Sequence, residues 1–228
     1  MQLEFAQTAA RELLESMKNG LALEGAAAGS LALGCHGVLS REIRDIDIVS
    51  ESPSNDVRLV AWLRDAGYEL EGSIKAAKES VARGKLRFFR GDPNTGTSIK
   101  FELFVPARFK HPSCQAKALC NETYRSIGPC PAKSGLRVVS AEICLVWKLL
   151  FGRPSDEQDI VEARDLANER GILLKTELIE KHVAAVAGAT GHKMDLLRRV
   201  FFNEAWYSNT SGVTGCPESY SINQIGRS

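Results

Sequence analysis

The chain has 228 residues, of which 44% are apolar and 25% are charged, a composition typical of a globular protein with a substantial core. Its 29 basic and 28 acidic residues leave a net charge of +1. This balance excludes a protein that coats nucleic acid through its net charge, but it does not exclude a local basic groove. No apolar run approaches the roughly 20 residues of a membrane-spanning helix, and the first residues lack the layout of a secretory signal. We therefore expect a cytoplasmic protein with no membrane partner.

Helical spacing and cap residues predict three helices in the first half of the chain, at residues 6–18, 31–35 and 53–67. Short apolar or alternating runs predict strands at residues 21–28, 44–49, 86–90 and 98–105. The last two runs flank a dense turn signal, which predicts a hairpin.

The second half of the chain changes character. Residues 106–135 are rich in proline and are predicted to be a linker with short pieces. Helices are then predicted at residues 140–151, 156–171, 176–187 and 194–206. We expect a catalytic domain, a linker with a helical region and a flexible tail, at residues 1–110, 111–207 and 208–228.

Six cysteines are too few for a disulfide scaffold and indicate free thiols in a reducing compartment. One group offers the nitrogen and sulfur ligands that zinc prefers: His111, Cys114, Cys120 and Cys130. The group has no CxxC pair and its spacings are loose. We therefore expect buried or surface thiols and no stable zinc.

An acidic pair lies on the strand predicted at 44–49. Asp45 and Asp47 are two residues apart, so both carboxylates point to one face of the strand. Two close carboxylates repel unless a cation lies between them, and such hard oxygen ligands suit Mg²⁺. Gly29 and Ser30 lie between a predicted strand and a short helix, where backbone N–H groups and a hydroxyl are offered to an anion. The pattern predicts a magnesium site beside a phosphate-binding turn.

A third carboxylate is expected from Glu102, whose apolar neighbours Phe101 and Leu103 point to the opposite face of their strand. Three carboxylates beside such a turn are what nucleotidyl transfer with two metal ions needs. One ion activates the acceptor oxygen, and the other binds the triphosphate. The alternative is that Glu102 is a solvated strand residue paired with Lys100 or with an arginine.

The segment 28–49, AGSLALGCHGVLSREIRDIDIV, resembles the signature of the DNA polymerase β-like nucleotidyltransferase superfamily. That signature is a Gly-Gly or Gly-Ser turn, a short helix containing Ala-Leu, an arginine, and an Asp-Ile-Asp strand. The abortive-infection toxin (AbiEii-type) and related minimal nucleotidyltransferases are the most similar group, and in them a later segment carries a lysine, an arginine and an acidic helix. The similar residues in this chain are Lys148, Arg153, Asp159 and Asp165.

The resemblance implies an α+β fold, with a small mixed β-sheet flanked by helices and a mostly helical C-terminal half. It implies an enzyme that uses two Mg²⁺ ions to move an NMP from an NTP, such as ATP, to a hydroxyl acceptor. The implied catalytic residues and metal ligands are Asp45, Asp47 and Glu102, and Glu102 is also a possible base for the acceptor. The implied nucleotide-binding residues are Gly29, Ser30, Arg41 and Lys148. Ile43 departs from the family, which often has Thr or Ser at that position.

Several alternatives stay open at this point. The acceptor is a tRNA, a protein or a small molecule, and a basic run predicts either an edge for tRNA or a solvated face. That run comprises Lys75, Lys78, Arg83, Lys85, Arg87 and Arg90. Lys148 also suits a lysine that extends from an apolar helix, and Asp159 is interpreted as an acid favoured by the dipole near the start of its helix. The rival functions are a catalytically inactive nucleotidyltransferase-fold binding or scaffold protein, or an antitoxin-like protein.

Overall fold

A computed structural model of the chain describes residues 1–91, 96, 98–109, 114–131, 135–187 and 191–202. Its strands are β1 (Gly25–Ala27), β2 (Ile46–Ser50), β3 (Glu69–Leu70), β4 (Lys85–Gly91), β5 (Ser98–Phe104), β6 (Gly128–Pro129) and β7 (Arg137–Val138). Its helices are α1 (Leu3–Leu21), α2 (Gly29–Cys35), α3 (Asp56–Asp65), α4 (Ile74–Ala82), α5 (Cys114–Arg125), α6 (Ala141–Phe151), α7 (Pro154–Arg170), α8 (Thr176–Ala187) and α9 (His192–Phe201).

The strands form one mixed sheet with the order β3-β4-β5-β2-β1-β7-β6. The predicted α+β class and the mostly helical C-terminal half are confirmed. The predicted hairpin is also confirmed, because β4 and β5 pair in antiparallel fashion. No helix in the described part of the chain is long and apolar enough to cross a membrane.

The centre of the sheet has one fully apolar face. Ile46 and Ile48 of β2 and Phe101 of β5 are completely buried there, together with Phe88 of β4. Phe88 and Phe101 stack with ring centroids 5.4 Å apart, and α4 and α1 pack against this part of the sheet. Burial of each such side chain contributes about 1.5–3 kcal/mol, so this face determines which way β2 and β5 are turned.

The caps of the C-terminal helices are as expected. Ser140 is the N-cap of α6, where its hydroxyl accepts a hydrogen bond from the Ile143 N–H at 3.4 Å. Gly171 ends α7 in the left-handed conformation, with φ of 64°. Both signals are local, so a short sequence window is enough to recognise them.

The described part of the stretch predicted to be a linker contains regular secondary structure. Residues 106–135 include the helix α5 and the strand β6, and β7 follows directly. β7 pairs in parallel with β1, so the sheet itself extends beyond residue 110. The reason is tertiary: Leu119 and Cys120 of α5 are buried, although the prolines around them weaken the local pattern. The predicted tail at 208–228 lies outside the described residues.

Candidate active site

The structure brings the three predicted carboxylates together. Asp45 immediately precedes β2, Asp47 lies on β2, and the strand register places Asp47 beside Glu102 of β5. Each residue offers a carboxylate oxygen, and these three oxygens all lie within 4.8 Å of one another. The acidic triad therefore results from strand alternation and parallel pairing, because the apolar neighbours of all three residues occupy the other face of the sheet.

Glu102 is the most buried member of the acidic triad, with 4% of its surface exposed, and three cations surround it. The Lys85 and Lys100 Nζ atoms lie 2.7 and 2.9 Å from its two carboxylate oxygens, and Arg87 Nε donates a hydrogen bond at 2.7 Å. Burial alone would raise the pKa of Glu102, but the hydrogen bonds from Lys100 and Lys85 outweigh it and lower the pKa to about 2. The expected pairing with Lys100 and an arginine is present, but Glu102 is not a solvated residue.

Asp47 has the opposite electrostatic environment. Within the described residues, no side chain forms a hydrogen bond or an ion pair with its carboxylate. Burial, followed by the negative charges of Asp45 and Glu102, raises the pKa of Asp47 to about 7, although Lys148 and Lys85 act in the opposite direction. Asp47 lies beside two other carboxylates and has no ion-pair partner of its own among the described residues. A divalent cation would stabilise a carboxylate in that position. The donor set thus fits a hard divalent metal such as Mg²⁺.

Metal binding at the acidic triad should depend on pH because Asp47 must be ionised to act as a ligand. We expect the apparent affinity for Mn²⁺ to fall about tenfold per pH unit below the Asp47 pKa of about 7, with a plateau above it. The same raised pKa makes the metal-free protein lose stability as the pH rises from 3.8 towards about 7. Calorimetric titrations with Mn²⁺ between roughly pH 5.5 and 8 measure how the affinity changes with pH. An affinity that does not change below pH 7 would contradict the assignment of Asp47 as a ligand.

Gly29 begins α2 and lies directly against the Asp47 carboxylate. Its φ is 56°, in the left-handed region, and a Cβ at this position would lie 2.0 Å from Asp47 Oδ2. A residue with a side chain would therefore be strained and would also displace a member of the acidic triad. Glycine is therefore required at position 29, because any larger residue would collide with the Asp47 carboxylate.

Gly29→Ala is expected to weaken Mn²⁺ binding by at least about tenfold and to lower the free energy of unfolding by about 1–2 kcal/mol. Gly67→Ala is the matched control, because its φ is 83° but an added Cβ would meet no atom within 4 Å. That variant measures backbone strain alone. Equal Mn²⁺ affinities in the two variants, measured by calorimetry, would contradict a role for Gly29 in shaping the site.

A second polar cluster, which we call the Asp159 cluster, lies next to Gly29. Asp159 is 1% exposed and accepts hydrogen bonds from Arg41 Nε at 2.5 Å and from Lys148 Nζ at 2.7 Å. Ser30 Oγ donates to Asp159 at 3.3 Å and accepts a hydrogen bond from Arg41 at 3.0 Å. Three of the predicted nucleotide-binding residues thus meet on one buried carboxylate.

Lys148 is buried within this cluster rather than extended into solvent. Its Nζ also donates to Asp156 at 3.2 Å, and Arg153 Nε donates to Asp156 at 2.6 Å. Burial would raise the pKa values of Asp156 and Asp159, but their cationic partners lower both. The Asp159 cluster therefore contains acidic and basic side chains in alternation, from Arg41 through Asp159, Lys148 and Asp156 to Arg153.

The interpretation of Asp159 as an acid favoured only by the helix dipole is wrong. Asp159 lies in the second turn of α7 and faces the interior, where it pairs with Arg41 and Lys148. Asp156, one turn earlier, was not predicted as part of a site. Spacing of three residues on one helix places both acids on a single face, so this pattern was a usable signal.

The predicted basic run does not form one surface. Lys85 and Arg87 point to the side of the sheet that carries Glu102, whereas Arg90 pairs with Glu12 of α1 at 2.9 Å. Strand alternation separates residues 85 and 87 from residue 90. The pairing of Glu102 with Lys100 or an arginine was one of the open alternatives, whereas the contact of Lys85 with Glu102 was not predicted.

The cysteine prediction is only partly covered by the structure. Cys120 and Cys130 are buried free thiols, whereas His111 and the side chain of Cys114 lie outside the described residues. Among the residues that are described, the acidic triad is the group of His, Cys, Asp and Glu side chains with metal-ligand spacing.

The acidic triad is partly exposed at Asp45 and Asp47 and buried at Glu102. A cavity of about 180 Å³ is lined by the second half of α1, by β1 and by residues 135–137, and one of about 120 Å³ is lined by residues 21–23, 51–55 and 58–59; neither is lined by a residue of the triad or of the Asp159 cluster. The side chains of Asp45 and Lys100 are 34% and 33% exposed. Solvent therefore reaches the acidic triad on the side of Asp45 and Lys100.

No protein-family model and no curated protein matches this chain. Among solved structures, the chain is similar to the crystal structure of JHP933 from Helicobacter pylori. The sequence identity is 15% and the TM-score is 0.42, over 86% of this chain and 78% of that chain. A likeness at that level carries no argument about function.

Proposed function

We propose that this chain is a Mg²⁺-dependent nucleotidyltransferase that moves a nucleoside monophosphate from an NTP to a hydroxyl acceptor. The observation that carries the proposal is the convergence of Asp45, Asp47 and Glu102 within 4.8 Å, where Asp47 has no ion-pair partner among the described residues and its pKa is raised to about 7. The Gly29 turn against Asp47 and the adjacent Asp159 cluster give further support, because they place backbone N–H groups and cations beside the acidic triad.

Asp45, Asp47 and Glu102 would hold the metal, for which two ions are expected. When bound, Mg²⁺ supplies charge neutralisation for the triphosphate and activation of the acceptor hydroxyl. Glu102 is suited to be a ligand and not a general base, since a carboxylate with a pKa of about 2 takes up protons poorly near neutral pH. Among the three carboxylates, Asp47, with its pKa of about 7, is the one that would release a proton on metal binding.

The cations of the Asp159 cluster differ in their freedom to contact a nucleotide. The Arg41 side chain is 28% exposed, whereas the Lys148 side chain is 7% exposed and pairs with two acids. We assign Arg41 to phosphate binding and Lys148 to positioning, because Lys148 connects Asp156 to Asp159 and thereby orients Arg41. In-line transfer depends chiefly on such positioning and on charge neutralisation.

The test is incubation of the protein with each α-labelled NTP and Mg²⁺, together with total cellular RNA or a cell extract. We expect label to pass from one NTP to an acceptor in the extract and to be lost in Asp45→Asn. Absence of transfer with every NTP, together with a melting temperature that Mg²⁺ and NTP leave unchanged, would overturn the proposal. That result would instead support a catalytically inactive binding or scaffold protein.

A further inference from the structure

Lys100 occupies a bridging position between two of the proposed metal ligands. Its Nζ lies 3.1 Å from Asp45 Oδ2 and 2.9 Å from Glu102 Oε1. Lys100 and Glu102 are two residues apart on β5, so both side chains lie on the face of the sheet that carries the acidic triad. One ammonium group therefore forms ion pairs with two carboxylates, one directly before β2 and the other on β5.

The other two cations at Glu102 do not have this arrangement. Lys85 contacts Glu102 Oε2 and lies over the Phe104 ring, with Nζ 4.9 Å from its centroid. Arg87 is shared between Glu102 and Glu71. Among the ion pairs of the described residues, Lys100 is the cation that joins Asp45 to Glu102.

A metal ion and this ammonium group would compete for the same oxygens. Mg²⁺ binds carboxylate oxygens at about 2.0–2.1 Å, and an ammonium that donates to those oxygens lies in the region between them. Two positive charges cannot share that region without strong repulsion. The Lys100 side chain is partly exposed, so it can swing towards solvent when a metal enters.

We infer that Lys100 is a placeholder cation, which bridges Asp45 and Glu102 in the metal-free protein and must leave before the divalent metal can bind. This inference rests on the proposed metal site. The ammonium limits repulsion within the acidic triad when no metal is present, and it thereby lowers the affinity of the site for the metal that replaces it. Lys100 is thus a residue that sets metal affinity, in addition to any part it has in binding substrate.

The test compares Lys100→Met with Lys85→Met in the full chain, using Mn²⁺ alone as the probe. Each variant loses one ammonium group bonded to Glu102, so the general gain in attraction for cations is similar in both. We expect Lys100→Met to bind Mn²⁺ at least about tenfold more tightly than the original chain, and Lys85→Met less than about threefold more tightly. Calorimetry and the electron paramagnetic resonance signal of free Mn²⁺ measure the affinity without reference to catalysis.

A second measurement is the rise in melting temperature on adding Mn²⁺. Lys100→Met should show a larger rise than Lys85→Met. In its metal-free form no ammonium group reduces the repulsion between Asp45 and Glu102, so bound metal stabilises it more. Lys100→Gln, which keeps a hydrogen-bond donor, replaces Lys100→Met if circular dichroism shows that the methionine variant is misfolded. It should bind Mn²⁺ more tightly than Lys85→Met does.

The outcomes separate this inference from the proposed function. Equal gains in Mn²⁺ affinity for the Lys100 and Lys85 variants would overturn the placeholder role and leave the metal site intact. An unchanged or weaker affinity in Lys100→Met would overturn it as well. Absence of Mn²⁺ binding in the original chain and in both variants would overturn the metal site itself, and the placeholder role with it.

Discussion

Asp47→Asn is expected to lower nucleotidyl transfer by at least about a thousandfold while making the metal-free protein more stable. Under the proposed function, activity would fall because a metal ligand would be lost. Stability rises because the fold disfavours ionisation of Asp47, whose pKa is raised to about 7 by burial and by Asp45 and Glu102, and asparagine removes that charge. At about pH 8 we expect a gain of about 1–2 kcal/mol in the free energy of unfolding, measured with urea in a chelating buffer.

Glu51→Gln is the matched control for this prediction. Glu51 is an exposed acid directly after β2, and its replacement should change neither transfer nor stability by a measurable amount. Loss of activity together with loss of stability in Asp47→Asn would indicate general damage to the fold. Retention of activity would show that Asp47 does not belong to an active site.

Asp159→Ala is expected to be the most destabilising single change in the Asp159 cluster, at about 3 kcal/mol. Removal of Asp159 leaves Arg41 without its ion-pair partner and leaves buried Lys148 with Asp156, which Arg153 already neutralises. Lys148→Met should cost less, about 1–2 kcal/mol, because each acid then keeps an arginine. Guanidinium unfolding followed by circular dichroism compares the two variants.

Asp165→Ala provides the control on the same helix. Asp165 is an exposed acid whose partner is Arg164, and a surface pair of this kind contributes about 0–1 kcal/mol. Equal losses of stability in Asp159→Ala and Lys148→Met would contradict the asymmetry derived from the arginines. A loss in Asp159→Ala as small as that in Asp165→Ala would show that the Asp159 cluster is not a buried charge network.

Much of the acidic triad could be anticipated because strand alternation is a local rule. Asp45 and Asp47 share a face since Ile46 and Ile48 occupy the other, and Glu102 follows from the same alternation in its own strand. What this rule does not give is which strands are neighbours. Parallel pairing of β2 with β5, in the register that sets Asp47 beside Glu102, depends on packing of the whole sheet.

The predicted nucleotide-binding residues show the limit of motif-based inference. Arg41 and Lys148 were assigned through a resemblance and Ser30 also through its place in a turn, and the structure places all three on Asp159, which was interpreted as an acid favoured by the helix dipole. Asp159 lies 118 residues beyond Arg41 and 129 residues beyond Ser30 in the chain. No sequence window of helical or strand length contains such a pair, so its charge partners were not predictable from spacing.

The sequence by itself determined the elements with local causes: the Ser140 cap, the Gly171 stop, the alternating strands and the glycine at the start of α2. Only the tertiary structure decided how the pKa values of Glu102 and Asp47 depart from their usual range. Lys100 and Lys85 lower the pKa of Glu102 to about 2, whereas burial and the charges of Asp45 and Glu102 raise the pKa of Asp47 to about 7 in spite of Lys148 and Lys85. The physical reason is that backbone conformation depends on adjacent residues, whereas a pKa depends on burial and on charges a few ångströms away, which distant parts of the chain supply.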